Sequence, residues 1–132
     1  MSLDQNTKTE LTNLRNVLLD VHKSLLEFQK KIYEDLYGVR LSPYELLNLA
    51  MTHGDFEWLR LLSGFIVRID EAIFDKTTNL QKFQKEIGEE VHAAFIDPLH
   101  HPAFKAGLEK AVNLDSNLCL QVGELRKQIL LN

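Results

Sequence analysis

Between Thr9 and Tyr37 the apolar positions Leu11, Leu14, Leu18, Val21, Leu25, Phe28 and Ile32 recur at alternating steps of three and four. That spacing is an a/d seam sustained for about three heptads, and it predicts one long helix. Such a seam has to be buried against other helices, either of the same chain or across a dimer. Gly38 supplies the C-cap, because glycine tolerates the left-handed backbone conformation.

Ser42-Pro43-Tyr44-Glu45 opens a second, short helix. Ser42 can cap it, Pro43 suits the first helical position, and Glu45 can reach back to complete a capping box. The helix runs through Leu46, Leu47, Leu49, Ala50 and Met51 and stops near His53-Gly54, where a cationic His53 would complement the helix dipole. Asp55 is then expected to cap a third helix, Phe56 to Asp75, with Glu57 in its first turn. On that helix Trp58, Leu61, Leu62, Phe65, Ile69, Ala72 and Ile73 share one wide arc, with Leu59 and Ile66 at its edge. Arg60, Ser63, Gly64, Arg68, Asp70, Glu71 and Asp75 lie opposite.

A fourth helix is expected over Asn79 to Asp97, on the stripe Leu80, Phe83, Ile87, Val91 and Ala94 with Phe95 beside it. Pro98 ends it, and a His100-His101-Pro102 loop leads into a fifth helix that buries Phe104, Leu108 and Ala111. The apolar pattern continues through Leu118, Val122, Leu125 and Ile129, but Asp115 falls inside it. A break at Asn113 to Asn117, with Asp115 as N-cap of a last helix, accounts for this better than a buried aspartate. Gly64, Gly88, Gly107 and Gly123 lie within helical patterns, where close helix approach is the expected compensation for their cost.

No period-two strand pattern occurs. The expected fold is therefore an all-α, single-domain bundle of five or six helices, with residues 1–8 a flexible lead and 9–131 the bundle. The long first helix should lie along the third, fourth and last, and the short second helix should make a corner.

Composition narrows the functional classes. The chain has 132 residues, 45% hydrophobic and 26% charged, with a net charge of -4. That is enough for a core without staples. No basic stripe is present to follow a phosphate backbone, so nucleic-acid binding is disfavoured. No apolar run approaches the roughly 20 residues that span a bilayer, so no membrane association is expected. Met1 to Glu10 lacks the pattern of a signal peptide, and the single cysteine, Cys119, suits a reducing cytoplasm. Cys119 sits in an apolar run and reads as a small buried hydrophobe.

Candidate chemistry is sparse. Glu89-Glu90-Val91-His92 contains the Glu-x-x-His spacing of di-iron bundles, but no second copy exists, and His92 falls off the apolar stripe. His22, beside the first-helix seam, reads as partly buried with a hydrogen-bonding partner. A metal- or small-molecule-binding bundle would draw on His22, Glu89, His92, Asp70, Glu71 and Asp115. The polar arc of the third helix is a candidate partner site, with Arg60, Ser63, Arg68 and Glu71 as its residues. Arg60 offers a planar fork to an anion, and Arg68 can pair with Glu71 at i, i+3. No phosphate loop, nucleophile elbow, catalytic triad or zinc spacing is present, and no cofactor is implied.

The run Phe56-Glu57-Trp58-Leu59-Arg60-Leu61-Leu62-Ser63, followed by Ile69-Asp70-Glu71, resembles a group of small bacterial all-helical proteins of unassigned function. Val21-His22-Lys23-x-Leu25-Leu26 is similar too, so the likeness covers about the first two thirds of the chain. It implies a bacterial cytoplasmic helical protein and supplies no activity or catalytic residue. The sequence as a whole points to a non-catalytic interaction or regulatory module, expected to be a homodimer or to bind a protein partner. A small-molecule- or metal-binding bundle is the alternative.

Overall fold

The computed structural model describes residues 2–131. Among them are six α-helices and no strand: α1 (Ser2–Tyr37), α2 (Pro43–Thr52), α3 (Arg60–Phe74), α4 (Leu80–Phe95), α5 (Pro102–Leu114) and α6 (Ser116–Leu131), with a short 3-10 helix (Gly54–Leu59) between α2 and α3. The protein is an all-α bundle with a long first and a short second helix, as its periodicity implies.

The seam of α1 is buried within the chain itself. Leu11, Leu18, Val21 and Leu25 are at most 1% exposed, against α3, α4 and α6. Phe28 and Ile32, farther along the seam, are only partly buried. The burial of the first part accounts for the length of α1, because one helix serves as the spine for three others. The helix begins at Ser2 rather than Thr9, and Thr7 is buried. At the other end Gly38 takes φ 64°, and the Val39 N–H donates to the Glu34 carbonyl at 3.1 Å. That is the wide hydrogen bond of a Schellman cap. The Glu34 carboxylate then accepts from the Leu41 N–H at 2.7 Å, which holds the loop against α1.

The capping box of α2 is complete: Ser42 Oγ accepts from the Glu45 N–H at 3.1 Å and the Glu45 carboxylate accepts from the Ser42 N–H at 3.0 Å. The segment after α2 departs from the sequence pattern. Asp55 does not cap a helix, and α3 does not start at Phe56. His53 is the cap, with Nδ1 accepting from the Asp55 N–H at 3.0 Å, so its ring works as an acceptor here and not as a cation on the dipole. The chain then makes a 3-10 turn that buries Phe56 and Leu59, and α3 begins at Arg60. A tighter helix rotates its side chains differently, so the arc drawn at 100° per residue is displaced in this segment. Phe56 is wholly buried, whereas Trp58 is only half-buried and donates its indole N–H to Gln29 Oε1 at 3.1 Å. Within α3 the arc holds: Leu62, Phe65, Ile69 and Ala72 are buried, together with Ile66 from its edge.

Asn79 caps α4 through its side chain, which accepts from the Lys82 N–H at 3.1 Å. In the loop after α4 the Asp97 carboxylate accepts from the Leu99 N–H at 2.8 Å and pairs with His100. Lys105 ties the loop to α4 by donating to the Ala93 carbonyl at 2.7 Å and to the His100 carbonyl. The break between α5 and α6 falls at Asp115, whose carboxylate accepts from the Asn117 and Leu118 N–H groups at 2.9 and 3.1 Å. Asp115 is thus the N-cap that the interrupted pattern implies. Cys119, expected to be buried, is exposed on α6.

The four helical glycines divide sharply. A Cβ on Gly107 would collide with the fused ring atoms of Trp58, so α5 needs glycine to approach the indole. Gly64, Gly88 and Gly123 have no atom within 4 Å of that position, so close helix approach does not explain them.

Candidate functional site

The polar arc of α3 does not form one face. Because α3 is central, Asp70, Arg68 and Arg60 each meet a different neighbour. Arg15 of α1 donates Nε to Asp70 at 2.9 Å. Arg68 forms a two-point pair with Glu90 of α4 at 2.8 and 2.6 Å, in place of the expected pairing with Glu71. That pair holds the Glu90 carboxyl below, and the Arg68 guanidinium above, its ordinary pKa, chiefly by the hydrogen bonds between them. Glu71 is exposed.

Arg60 turns toward α2. Its Nε donates to the Ala50 carbonyl at 3.2 Å and its Nη2 to the His53 carbonyl at 3.0 Å. The Ala50 carbonyl lies in the last turn of α2 and the His53 carbonyl, which also accepts from the Phe56 N–H, at its C-cap, so the guanidinium caps that helix as well as fixing the corner. Ser63 Oγ donates back to the Arg60 carbonyl at 3.0 Å.

Arg60 and Ser63 nonetheless share a groove with His22. It lies between α1, α2 and the start of α3, has a volume of about 380 Å³, and is almost wholly apolar. Leu26, Leu46, Ala50 and Leu59 line its depth, and Leu47 and Met51 its outer edge. The structure therefore brings together two residues of the proposed partner site and one proposed metal ligand. His22 has no hydrogen-bond partner among the described residues, contrary to expectation, and burial pushes its pKa below 6.5.

The consequence for stability has a definite sign. A histidine whose folded pKa is lowered binds fewer protons in the native state than in the unfolded chain. Its contribution is intact above pH 6.5 and declines as pH falls from there toward the lowered value. His22→Leu should therefore flatten the fall in unfolding free energy as the pH drops below about 6.5 in urea titrations. An unchanged slope would show that His22 protonates freely in the folded protein.

The other metal candidates do not converge. Glu89 and His92 line a second groove, between α1, α4 and α6, while Asp115 is committed to capping α6. Among the described residues no group of three or more His, Cys, Asp or Glu side chains could hold a metal ion. No helix among them is long and apolar enough to cross a membrane.

The outer face of α2 escapes sequence reasoning. Tyr44, Leu47 and Met51 are 80%, 59% and 68% exposed and recur at i, i+3 and i+7, so they form an apolar stripe on the solvent side. A signal for it is present, since Leu46, Leu47, Leu49, Ala50 and Met51 are more apolar positions than one buried face of so short a helix can take, beside the polar row Glu45, Asn48 and Thr52. No protein-family model matches the chain, and no curated protein or solved structure matches it.

Proposed function

We propose that this is a non-catalytic interaction module of a bacterial cytoplasm, which pairs with a second copy through α2. The observation that carries the reading is the exposed Tyr44-Leu47-Met51 stripe beside the apolar groove. Leu36, Tyr37 and Val39, at the end of α1 and in the loop that leads into α2, are exposed too. Scattered surface apolar residues are ordinary, but a stripe adjoining a cleft marks an interaction surface. A stable dimer buries about 800 Å² per partner, so α2 alone is too small and this neighbouring surface is needed. Identical stripes can meet about a two-fold axis, which is the commonest oligomer symmetry. The bacterial part of the reading rests on the resemblance of the Phe56–Ser63 run, and the cytoplasmic part on the single cysteine.

Sedimentation or light scattering over about 1–100 μM tests it, a range in which a pair of micromolar affinity dissociates. The unaltered chain should shift from monomer to dimer. The double variant Leu47→Glu with Met51→Glu should remain monomeric with an unchanged melting temperature, because both residues are solvent-facing. A chain that is monomeric at every concentration, or a double variant that still dimerises, rejects pairing through α2.

A second reading, small-molecule binding, is favoured by the same groove. Its volume falls in the range of ligand pockets, and Arg60, Ser63 and His22 supply the few polar groups such sites use. Native mass spectrometry showing a stoichiometric adduct on the monomer would select this reading over self-pairing.

A further inference from the structure

The second groove has a different chemistry, and it is independent of α2. We propose that the cleft between α1, α4 and α6 binds an extended peptide segment that carries apolar side chains at alternate positions.

The cleft has a volume of about 810 Å³. Its floor is core, made by the buried Leu11, Val91 and Leu125. Its walls hold four carboxamides: Asn13 from α1, Gln81 and Gln84 from α4, and Gln128 from α6. Each carboxamide offers one acceptor oxygen and two N–H donors, the counterpart of a peptide unit's own N–H and C=O. A helical ligand has already satisfied its backbone groups, and an acyl chain has none, so neither would use such walls. An extended segment carries unpaired N–H and C=O groups along both edges, and binding modes that supply partners for them gain affinity from the main chain. Its side chains alternate, one set facing the apolar floor and the other facing out.

Length and charge agree with this occupant. From Gln81 to His92 the α4 wall runs about 16 Å at 1.5 Å per residue. That length accommodates about five extended residues. The charged wall residues are Glu10 and Glu89 against Lys85, an acidic balance that favours basic residues flanking the segment. Gln84 Nε2 donates to Glu10 Oε2 at 3.3 Å, a long bond that a peptide unit could replace.

Gly88 supplies an independent observation. It lies in the middle of α4 and lines the cleft, yet nothing stands within 4 Å of where its Cβ would be. Packing does not call for glycine there, and glycine weakens the helix. Its effect is to keep the cleft wall low. Gly64 and Gly123 share its freedom but line neither groove.

The test uses the full chain and a pool of fluorescein-labelled heptapeptides with Leu, Ile or Val at alternate positions and Lys at both ends, followed by anisotropy. Saturable binding below about 1 mM is expected, a weak but specific affinity. Gln84→Ala with Gln128→Ala should weaken it about tenfold, the scale of one or two lost hydrogen bonds. Gly88→Leu should abolish it while raising the melting temperature, so that loss of binding is separated from loss of fold. Leu47→Glu with Met51→Glu should leave it unchanged, which separates this site from the α2 surface. Absence of saturable binding, or equal binding by the same pool with N-methylated backbones, overturns the proposal.

Discussion

Phe56→Ala is expected to lower the unfolding free energy by about 3–5 kcal/mol, the range for truncating a buried aromatic side chain. The side chain is wholly buried, although it sits only two residues beyond the exposed Gly54. Its ring lies 5.8 Å from that of Tyr33 on α1 and 6.5 Å, edge-on, from His53 at the end of α2. One side chain therefore joins the 3-10 turn to two helices, and its removal leaves a cavity where the chain has little freedom to collapse. Urea unfolding followed by circular dichroism measures the loss. Phe56→Leu, which keeps most of the volume, should cost less than about 1.5 kcal/mol. A loss under about 1 kcal/mol for the alanine variant would show that the corner repacks readily and that the 3-10 turn is not its anchor.

Gly107→Ala should destabilise the protein even though alanine is the better helix former. In an open helix the substitution gains up to about 1 kcal/mol. Here the added methyl group meets the fused carbons of the Trp58 indole. The indole has nowhere simple to go, because its N–H is bound to Gln29 and its face packs near Phe104, with ring centres 6.1 Å apart. Overpacking costs about 1–3 kcal/mol, and contact with rigid fused-ring carbons belongs in the upper half of that range, so the net change is a loss of about 1–2 kcal/mol. Gly107→Val should lose about 3 kcal/mol by adding two more carbons and a branched side chain to the same contact. Gly64→Ala and Gly123→Ala are the controls and should gain about 0.5–1 kcal/mol, since their Cβ positions are open. Trp58 is the only tryptophan, so its emission should change in the Gly107 variants and stay constant in the controls. A Gly107→Ala protein as stable as the unaltered one would refute the packing account.

The capping box, the Gly38 cap and the Asp115 break are legible in the sequence because each depends on residues within one turn of each other. The a/d seam of α1 is legible for the same reason. The 3-10 turn is not. Asp55 follows the stop at His53-Gly54 and has the composition of an N-cap, and only the burial of Phe56 and Leu59 turns the chain more tightly at that point. The candidate site is half legible. Arg60, Ser63 and His22 each stand out in the sequence, but their meeting in one groove depends on the packing of α1 against α2 and α3. Helical spacing pairs Arg68 with Glu71 on its own helix, whereas the nearer carboxylate in space is Glu90 of α4. Cys119 has apolar neighbours in sequence, but such neighbours do not decide which side of a helix faces water.

The sequence by itself determined that this chain is helical nearly throughout, where most of its helices begin and end, and which stripe of each helix other than α2 faces inward. Those properties come from hydrogen bonds and periodicities that act over a few residues. Tertiary structure alone decided that Leu11, Leu18, Val21 and Leu25 of the α1 seam are buried within the chain. It also decided that the polar arc of α3 divides into links to α1, α2 and α4, and which residues meet in each of the two grooves described above. Those outcomes depend on which helices become neighbours, and a periodicity specifies that a face is buried without specifying what buries it.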